Sequence, residues 1–223
     1  IGLTPLFGAC YSGHVPIVDF LLAQGAEADL ERAMEGGGTP LMAASLEGHL
    51  PIVERLLARG ANPNVKADTG ETCFYAACQK GHLAVVKRLY TEKVDIHAAN
   101  KNGFTPLLDA CSNGHVPVVD FLLEHGAVAD LERTTNTGST PLMVASEKGH
   151  LPIVERLLSR GANPNVMPHD GKTCFYRACQ KGHFDVVKRL YAEKVDIHAA
   201  DKGGVTPLLD ACSNGHVPVV DFL

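Results

Sequence analysis

Apolar residues recur along this chain in short blocks with the spacing of an amphipathic α-helix, separated by glycines and polar residues. The segment that begins at Thr105 shows the pattern, because this threonine suits a helix N-cap and Pro106 suits the first helical position. Gly114 supplies the left-handed residue that ends this first helix. A second helix starts at Pro117, with apolar positions at Val118, Val119, Leu122 and Leu123. Such short helices are unstable alone, so neighbouring copies must bury their apolar faces.

This pair of helices recurs along the whole chain. A Gly-x-Thr unit, spaced by 33 or 35 residues, opens each copy at Gly2, Gly37, Gly70, Gly103, Gly138, Gly171 and Gly204. Each unit then runs to a Gly-His pair after the first helix. The spacing predicts six complete repeats and a partial seventh, at about 2–36, 37–69, 70–102, 103–137, 138–170, 171–203 and 204–223.

A longer period of 101 residues lies above the repeat. With a shift of 101, residues 1–122 align with 102–223, and only 31 of the 122 aligned pairs differ. The sequence unit is therefore a block of three repeats that was duplicated or concatenated. The first repeat of each block is two residues longer than the others, and we place the additional residues near Glu35 to Gly38 and Asn136 to Ser139.

The Thr-Pro-Leu and Gly-His motifs, the apolar second helix and the Gly-Ala that follows it resemble the ankyrin repeat along the whole chain. The resemblance implies an all-α ankyrin-repeat solenoid of stacked helix-turn-helix units with projecting hairpin loops, formed as a single array over 1–223. It also implies that the array recognises another protein through a concave surface.

The chain departs from the ankyrin pattern at positions that affect local stability and loop angle. The family's histidine after Thr-Pro-Leu is replaced by Phe7, Met42, Leu108, Met143 and Leu209. In the third and sixth repeats Cys73 and Cys174 take the place of the proline. The same two repeats lack the glycine after the second helix, so we expect Lys93 and Lys194 to adopt a left-handed backbone conformation.

Composition restricts the classes of function. A net charge of -5 gives no global attraction to nucleic acid or to an anionic membrane, and no apolar stretch has the length of a membrane span. We therefore expect a monomer that binds neither. The chain begins without a methionine and ends inside a repeat, which indicates a fragment of a longer protein. An odd count of seven cysteines favours reduced thiols in the cytoplasm or nucleus.

Candidate chemistry is sparse. The Gly-His histidines recur at the roughly 8–10 Å spacing of packed helices, whereas zinc ligands lie about 2 Å from one centre, so we predict structural turn histidines and no metal. Ser45 and Ser146 replace cysteine at one recurring helix position, which favours a small packed side chain over a nucleophile. Cys73 and Cys174 stand at helix starts, where a thiol pKa can be lowered. No catalytic or phosphate-binding motif is present, so we predict a non-enzyme without a cofactor.

The ankyrin resemblance assigns the partner-binding surface to loop tips and to the exposed side of each first helix. Carried onto this sequence, it selects Leu3, Tyr11, Ser12, Leu46, Glu47, Glu71, Gln79, Lys80, Phe104, Asp109, Ser112, Asn113, Glu147, Lys148, Lys172, Arg177, Gln180 and Lys181. Tyr11, Phe104 and Arg177 differ from their counterparts in the shifted copy, so we expect them to tolerate substitution.

Two interpretations of this surface stay open. Of the 31 differences between the copies, 22 fall on the predicted groove or in loops. Either retuning of a binding surface or drift at exposed positions explains this distribution. The alternative to a binding module is a structural or engineered repeat array without an evolved partner. Second-helix charges such as Glu54 and Arg55 read as inter-repeat ion pairs, with a binding role as the alternative. Resemblance to hydroxylated ankyrin repeats marks Asn64, His97, Asn165 and His198 as candidate modification sites.

Overall fold

The computed structural model describes residues 3–223, so the opening glycine predicted at Gly2 lies outside the described residues. Residues 3–223 contain fourteen α-helices, two short 3-10 turns and no strand. The chain divides into two compact units, with the boundary between Ala110 and Cys111. The all-α prediction is therefore confirmed, and each unit is built of stacked helix pairs.

The first unit contains three complete helix pairs. Helices α1, α3 and α5 pack side by side in one row, α2, α4 and α6 form a second row, and each helix packs on its partner in the pair. The helices are α1 (Pro5–Tyr11), α2 (Val15–Ala23), α3 (Pro40–Leu46), α4 (Leu50–Ala58), α5 (Cys73–Lys80) and α6 (Leu83–Tyr90). Buried apolar residues from both rows, such as Leu41 and Leu56, form the core.

The second unit repeats this arrangement. Helices α9, α11 and α13 form the row of first helices, and α8, α10, α12 and α14 form the row of second helices. The helices are α8 (Val116–Glu124), α9 (Pro141–Lys148), α10 (Leu151–Ser159), α11 (Cys174–Lys181), α12 (Phe184–Tyr191), α13 (Pro207–Ser213) and α14 (Val217–Phe222). The boundary between the units falls inside α7 (Pro106–Ser112).

Buried threonines begin the first helices as predicted. The Thr39 hydroxyl accepts a hydrogen bond from the backbone N–H of Met42 at 3.3 Å, and Thr140 accepts from Met143 at the same distance. Each cap satisfies a backbone donor that has no partner within the helix, and the following proline needs none. The same local chemistry therefore fixes where the first helices begin in both units.

The Gly-His pairs lock neighbouring repeats together. Gly48 has a φ of 78° and ends α3, and the His82 ring of the next repeat packs against it. His82 Nε2 donates to the backbone oxygen of Leu46 at 3.0 Å. In the second unit His183 makes the equivalent bond to Glu147 at 2.9 Å. The structural role predicted for the Gly-His histidines is confirmed at these two positions.

The placement of the additional loop residues was wrong. Met34 N–H donates to the Gly38 oxygen at 2.9 Å, just as Ala67 donates to Glu71 at 2.8 Å, so the loop tips of the long and short repeats are alike. The additional residues instead lie upstream, where the long repeats form the 3-10 turns Ala26–Asp29 and Ala127–Asp130. The two additional residues are accommodated in this turn after the second helix, so the loop tip keeps the same conformation.

Two lysines occupy glycine-like positions after the second helix. Lys93 and Lys194 have φ angles of 57° and 56°, which is the left-handed region expected from the missing glycines. A side chain in this region is strained by roughly 1 kcal/mol relative to glycine. Each unit thus contains one lysine in the left-handed backbone conformation that glycine usually adopts.

Candidate functional site

The row of first helices in the first unit borders an open cleft of about 570 Å³. Its walls come from α1, α3, the start of α5 and two loop tips, and most of its lining is apolar. The lining residues are Leu3, Phe7, Tyr11, Met34, Glu35, Gly36, Gly38, Met42, Ala43, Leu46, Ala67, Thr69, Glu71, Thr72 and Ala76. A cleft of this size and composition suits apolar side chains of a ligand.

Large apolar side chains face solvent in this cleft. Leu3 is 62% exposed and Tyr11 is 50% exposed, while Leu46 is half-buried beside them. Exposure of clustered apolar groups to water is unfavourable, so this patch is a candidate interaction site. Among the described residues that line the cleft, Glu35 and Glu71 are the charged ones.

Neighbouring loop tips form one edge of the cleft. The backbone N–H of Asp68 donates to the Gly36 oxygen at 2.9 Å and joins the tip at 34–38 to the tip at 67–71. Glu35 lies on the first of these joined tips, and Asp68 and Glu71 lie on the second. Within residues 3–223, none of these three carboxylates forms a salt bridge.

Several sequence-predicted residues meet at this cleft. Leu3, Tyr11, Leu46 and Glu71 line it, and three others from the same unit, Ser12, Glu47 and Lys80, are exposed. Gln79 is half-buried and donates to the Asp109 carboxylate at 3.0 Å. Asp109 is itself buried, which corrects the expectation that it faces a partner, because the amide of the preceding repeat binds it within the fold. Phe104 is half-buried.

Sequence reasoning missed part of the cleft. Phe7 and Met42 line it from the positions where the ankyrin pattern has a histidine, and that replacement was the available signal. Met34 lines it from a loop. A methionine in an otherwise polar loop was a second signal. Ala67 and Thr69 line the cleft because of the way the two loop tips pair, and no sequence motif predicts that pairing.

In the second unit the equivalent positions hold ion pairs. Arg177 binds Glu147 at 2.7 Å and Asp170 at 3.1 Å, and its Nε donates to the Lys172 oxygen at 3.0 Å. The Arg177 side chain is only 13% exposed. The expectation that Arg177 tolerates substitution needs correction, because three internal bonds hold the side chain that the sequence suggested was free. Gln180 also bonds internally, to Asp210 at 2.7 Å.

The remaining predicted residues of the second unit are more accessible. Lys148 and Lys181 are exposed, Ser112 is half-buried, and Asn113 is exposed. Lys172 is half-buried and lies 3.8 Å from the Asp201 carboxylate. These positions of the second unit are therefore polar, in contrast to the apolar cleft of the first.

The charges on the second helices pair between neighbouring repeats. Arg55 binds Asp19 at 2.6 Å in the first unit, and Arg156 binds Asp120 at 2.5 Å in the second. Both pairs are more than a third exposed to solvent, so each contributes only about 0–1 kcal/mol to stability. The interpretation of these charges as inter-repeat ion pairs is confirmed at these two positions.

All seven cysteines are free thiols, and all except Cys212 are buried. Burial raises the pKa of Cys73 and of Cys174 to about 12, because desolvation outweighs the lowering by the backbone N–H groups at the helix start. Each thiol donates to a proline oxygen at 3.2 Å, in Pro63 and Pro164 respectively. These contacts make both thiols packed structural groups.

Residues 3–223 contain no group of three or more His, Cys, Asp or Glu side chains arranged to hold a metal ion. Over the same residues, no helix has both the length and the apolar character needed to cross a membrane.

The four candidate hydroxylation sites occupy one type of turn after the second helix. Asn64 and Asn165 donate their backbone N–H to the side chain of the asparagine two residues earlier, and His97 and His198 donate to an aspartate, all at 2.9 Å. His97 is half-buried and the other three are exposed. None of the four lines the cleft, and their modification stays a prediction.

Comparison with known proteins agrees with this architecture. The family model for ankyrin repeats in three copies matches residues 1–67, 73–168 and 160–223. The chain therefore belongs to the ankyrin-repeat family. It is similar to the crystal structure of the human ASB11 ankyrin repeat domain, with a TM-score of 0.86, 23% identity, and coverage of 98% of this chain and 97% of that chain. At that identity the likeness shows the fold alone. No curated protein sequence matches the chain.

Proposed function

We propose that this chain holds another protein against the first-helix face of its first unit and does no chemistry itself. Ankyrin repeat domains are typically protein-protein interaction modules. The observation that carries the finer proposal is the apolar cleft, in which Leu3 and Tyr11 stay largely exposed. Covering such side chains favours association by about 25 cal/mol per Å² of apolar surface removed from water.

The differences between the two copies support a binding role. Of the 15 residues within 3–223 that line the cleft, 13 differ from the residue 101 positions later, although only 31 of all 122 pairs differ. Drift at exposed positions does not account for this pattern, because Phe7, Ala43 and Ala76 are buried and still differ. Divergence concentrated on one cleft, buried walls included, favours retuning of a recognition surface.

A library of randomised twelve-residue peptides displayed on phage tests the proposal. We expect selection against the intact chain to enrich peptides with apolar residues. Their affinity should fall at least tenfold, equivalent to about 1.4 kcal/mol, when Tyr11→Ser and Leu46→Glu are introduced together. Both replacements are the residues found at the equivalent positions of the second copy, Ser112 and Glu147.

The matched control changes the opposite row of helices. Glu54→Ala with Arg55→Ala removes exposed charges from α4 and should leave peptide affinity unchanged, with a small loss of stability. If this control abolishes binding while the cleft variant binds normally, the second-helix face is the working surface. If selection yields only peptides that are insensitive to the cleft variant, the cleft is not the recognition site.

A further inference from the structure

We propose that the first-unit cleft takes apolar side chains from a peptide segment that carries Lys or Arg beside them. This inference rests on the proposed function and adds the chemistry of the partner. The walls of the cleft supply the apolar site, and the adjoining loop tips supply charge. The charge comes from the three tip carboxylates Glu35, Asp68 and Glu71.

These carboxylates are unneutralised within the fold. Glu35 and Glu71 line the cleft, and Asp68 is exposed on the tip that the Gly36 bond holds against its neighbour. None of the three forms a salt bridge within residues 3–223. A cluster of like charges raises the electrostatic energy of the free protein, and a cation at the edge of the cleft relieves it. An anionic segment would meet repulsion from all three.

The second copy shows that the tip charge is separable from the scaffold. At the positions of Glu35, Asp68 and Glu71 it has Asn136, His169 and Lys172. Three acidic side chains are thus replaced by a neutral one, a histidine and a lysine. Turn bonds such as Gly171 N–H to the Pro168 oxygen are retained, but Pro168 cannot donate as Ala67 does, and within residues 3–223 no bond between His169 and Thr137 replaces the one between Asp68 and Gly36. The acidic cluster of the first unit is therefore absent from the second, where Lys172 lies 3.8 Å from the Asp201 carboxylate, and this fits a role in recognition better than a requirement of folding.

The apolar half of the site is replaced as well. Ala76, Leu46 and Thr69 line the cleft, and their counterparts are the ion-paired Arg177, Glu147 and Asp170. Placing these three side chains together in the first unit should fill the cleft with the same paired network. The second copy thus provides one variant that changes tip charge and another that closes the cleft, each built of side chains already present in this fold.

Fluorescein-labelled twelve-residue peptides measure the preference directly by anisotropy. Each peptide has a central pair of leucines, or serines as the control, with flanks of Lys, Ser or Glu. We expect the Lys-flanked leucine peptide to bind at least tenfold more tightly than the Ser-flanked one, and the Glu-flanked one to bind more weakly still. The advantage of lysine should shrink from 50 to 500 mM salt, because the tips are solvent-exposed.

Two variants of the full chain separate the possible outcomes. Glu35→Asn with Asp68→His and Glu71→Lys should remove the lysine preference, measured as the ratio of the affinities of the Lys-flanked and Ser-flanked leucine peptides. Ala76→Arg with Leu46→Glu and Thr69→Asp should abolish binding of every leucine peptide. A lysine preference that survives the tip variant, or is equal for the serine control, overturns this inference and leaves the proposed function standing. Unchanged binding of leucine peptides to the closed-cleft variant overturns both.

Discussion

The two units of this protein share a scaffold and differ on one face. Threonine caps, Gly-His contacts and inter-repeat ion pairs recur with nearly the same geometry, as in His82 to Leu46 at 3.0 Å and His183 to Glu147 at 2.9 Å. On the first-helix face, however, the first unit has an apolar cleft and the second has the Arg177 network. The comparison teaches that folding restricts the caps, turns and core, while the first-helix face is free to acquire different chemistry.

The largest expected effect tests whether the cores of the two units are equivalent. Burial raises the pKa of Cys10 and Cys179 from 9.0 to about 12, and the other four buried thiols are raised as well, so each unit contains three such groups. The folded state keeps protons that the unfolded state releases above pH 9, so stability is full below that pH and falls as pH rises towards 12. The loss approaches about 1.4 kcal/mol per thiol per pH unit.

Urea unfolding at pH 8 and pH 10.5 measures this loss. Transitions followed in both units should move to lower urea together. A stability that is unchanged between these pH values would show that the thiols are not protected by burial. At pH 8 in the absence of urea, Cys212 should react first with a thiol reagent, because it is the exposed cysteine.

The next effect concerns the shared Gly-His contacts. A Cβ added to Gly48 or to Gly149 would lie 2.5 Å from the next histidine ring, in addition to the strain of a left-handed φ. Gly48→Ala and Gly149→Ala should each lower the free energy of unfolding by about 2–4 kcal/mol, and by similar amounts. Gly60→Ala and Gly161→Ala are the controls, with φ near 90° and open space, and should cost about 1 kcal/mol.

A smaller effect is expected where the faces differ. Arg177→Ala removes a largely buried guanidinium from two carboxylates and should lower the free energy of unfolding by about 1–2 kcal/mol. The exposed Arg55–Asp19 pair is the reference, and Arg55→Ala should cost less than about 1 kcal/mol. Equal, small losses in thermal or urea unfolding would show that the Arg177 network does not hold the second face together.

The smallest effect concerns the two left-handed lysines. Lys93→Gly and Lys194→Gly relieve backbone strain and lose a cation near a helix C-terminus, so the net gain should be no more than about 1 kcal/mol. The gain should be alike in both units, because the φ angles differ by only one degree. A fall in the unfolding midpoint for either variant would show that the lysine side chain stabilises the turn.

The sequence predicted the repeated scaffold because its determinants are local. Thr39, Gly48 and His82 act through neighbours at fixed spacing, so their roles can be inferred from the repeat alone. The binding face depends on which side chains meet between repeats. The sequence predicted an accessible Arg177, yet two carboxylates from other segments bind it. Asp109 was also predicted to face a partner, but it is buried and hydrogen-bonded to Gln79 of the preceding repeat. The cleft could be only partly predicted, because pairing between loop tips places Ala67 and Thr69 in its wall.

The most direct test of the central claim uses the four methionine methyl groups. Met34 and Met42 line the cleft of the first unit, whereas Met143, the counterpart of Met42, and Met167 lie in the second. In ¹³C-methyl-methionine NMR spectra, adding the tightest peptide from the phage selection should shift the signals of Met34 and Met42 and leave the other two unchanged. Shifts at Met143 and Met167 with Met34 and Met42 unaffected would contradict the account.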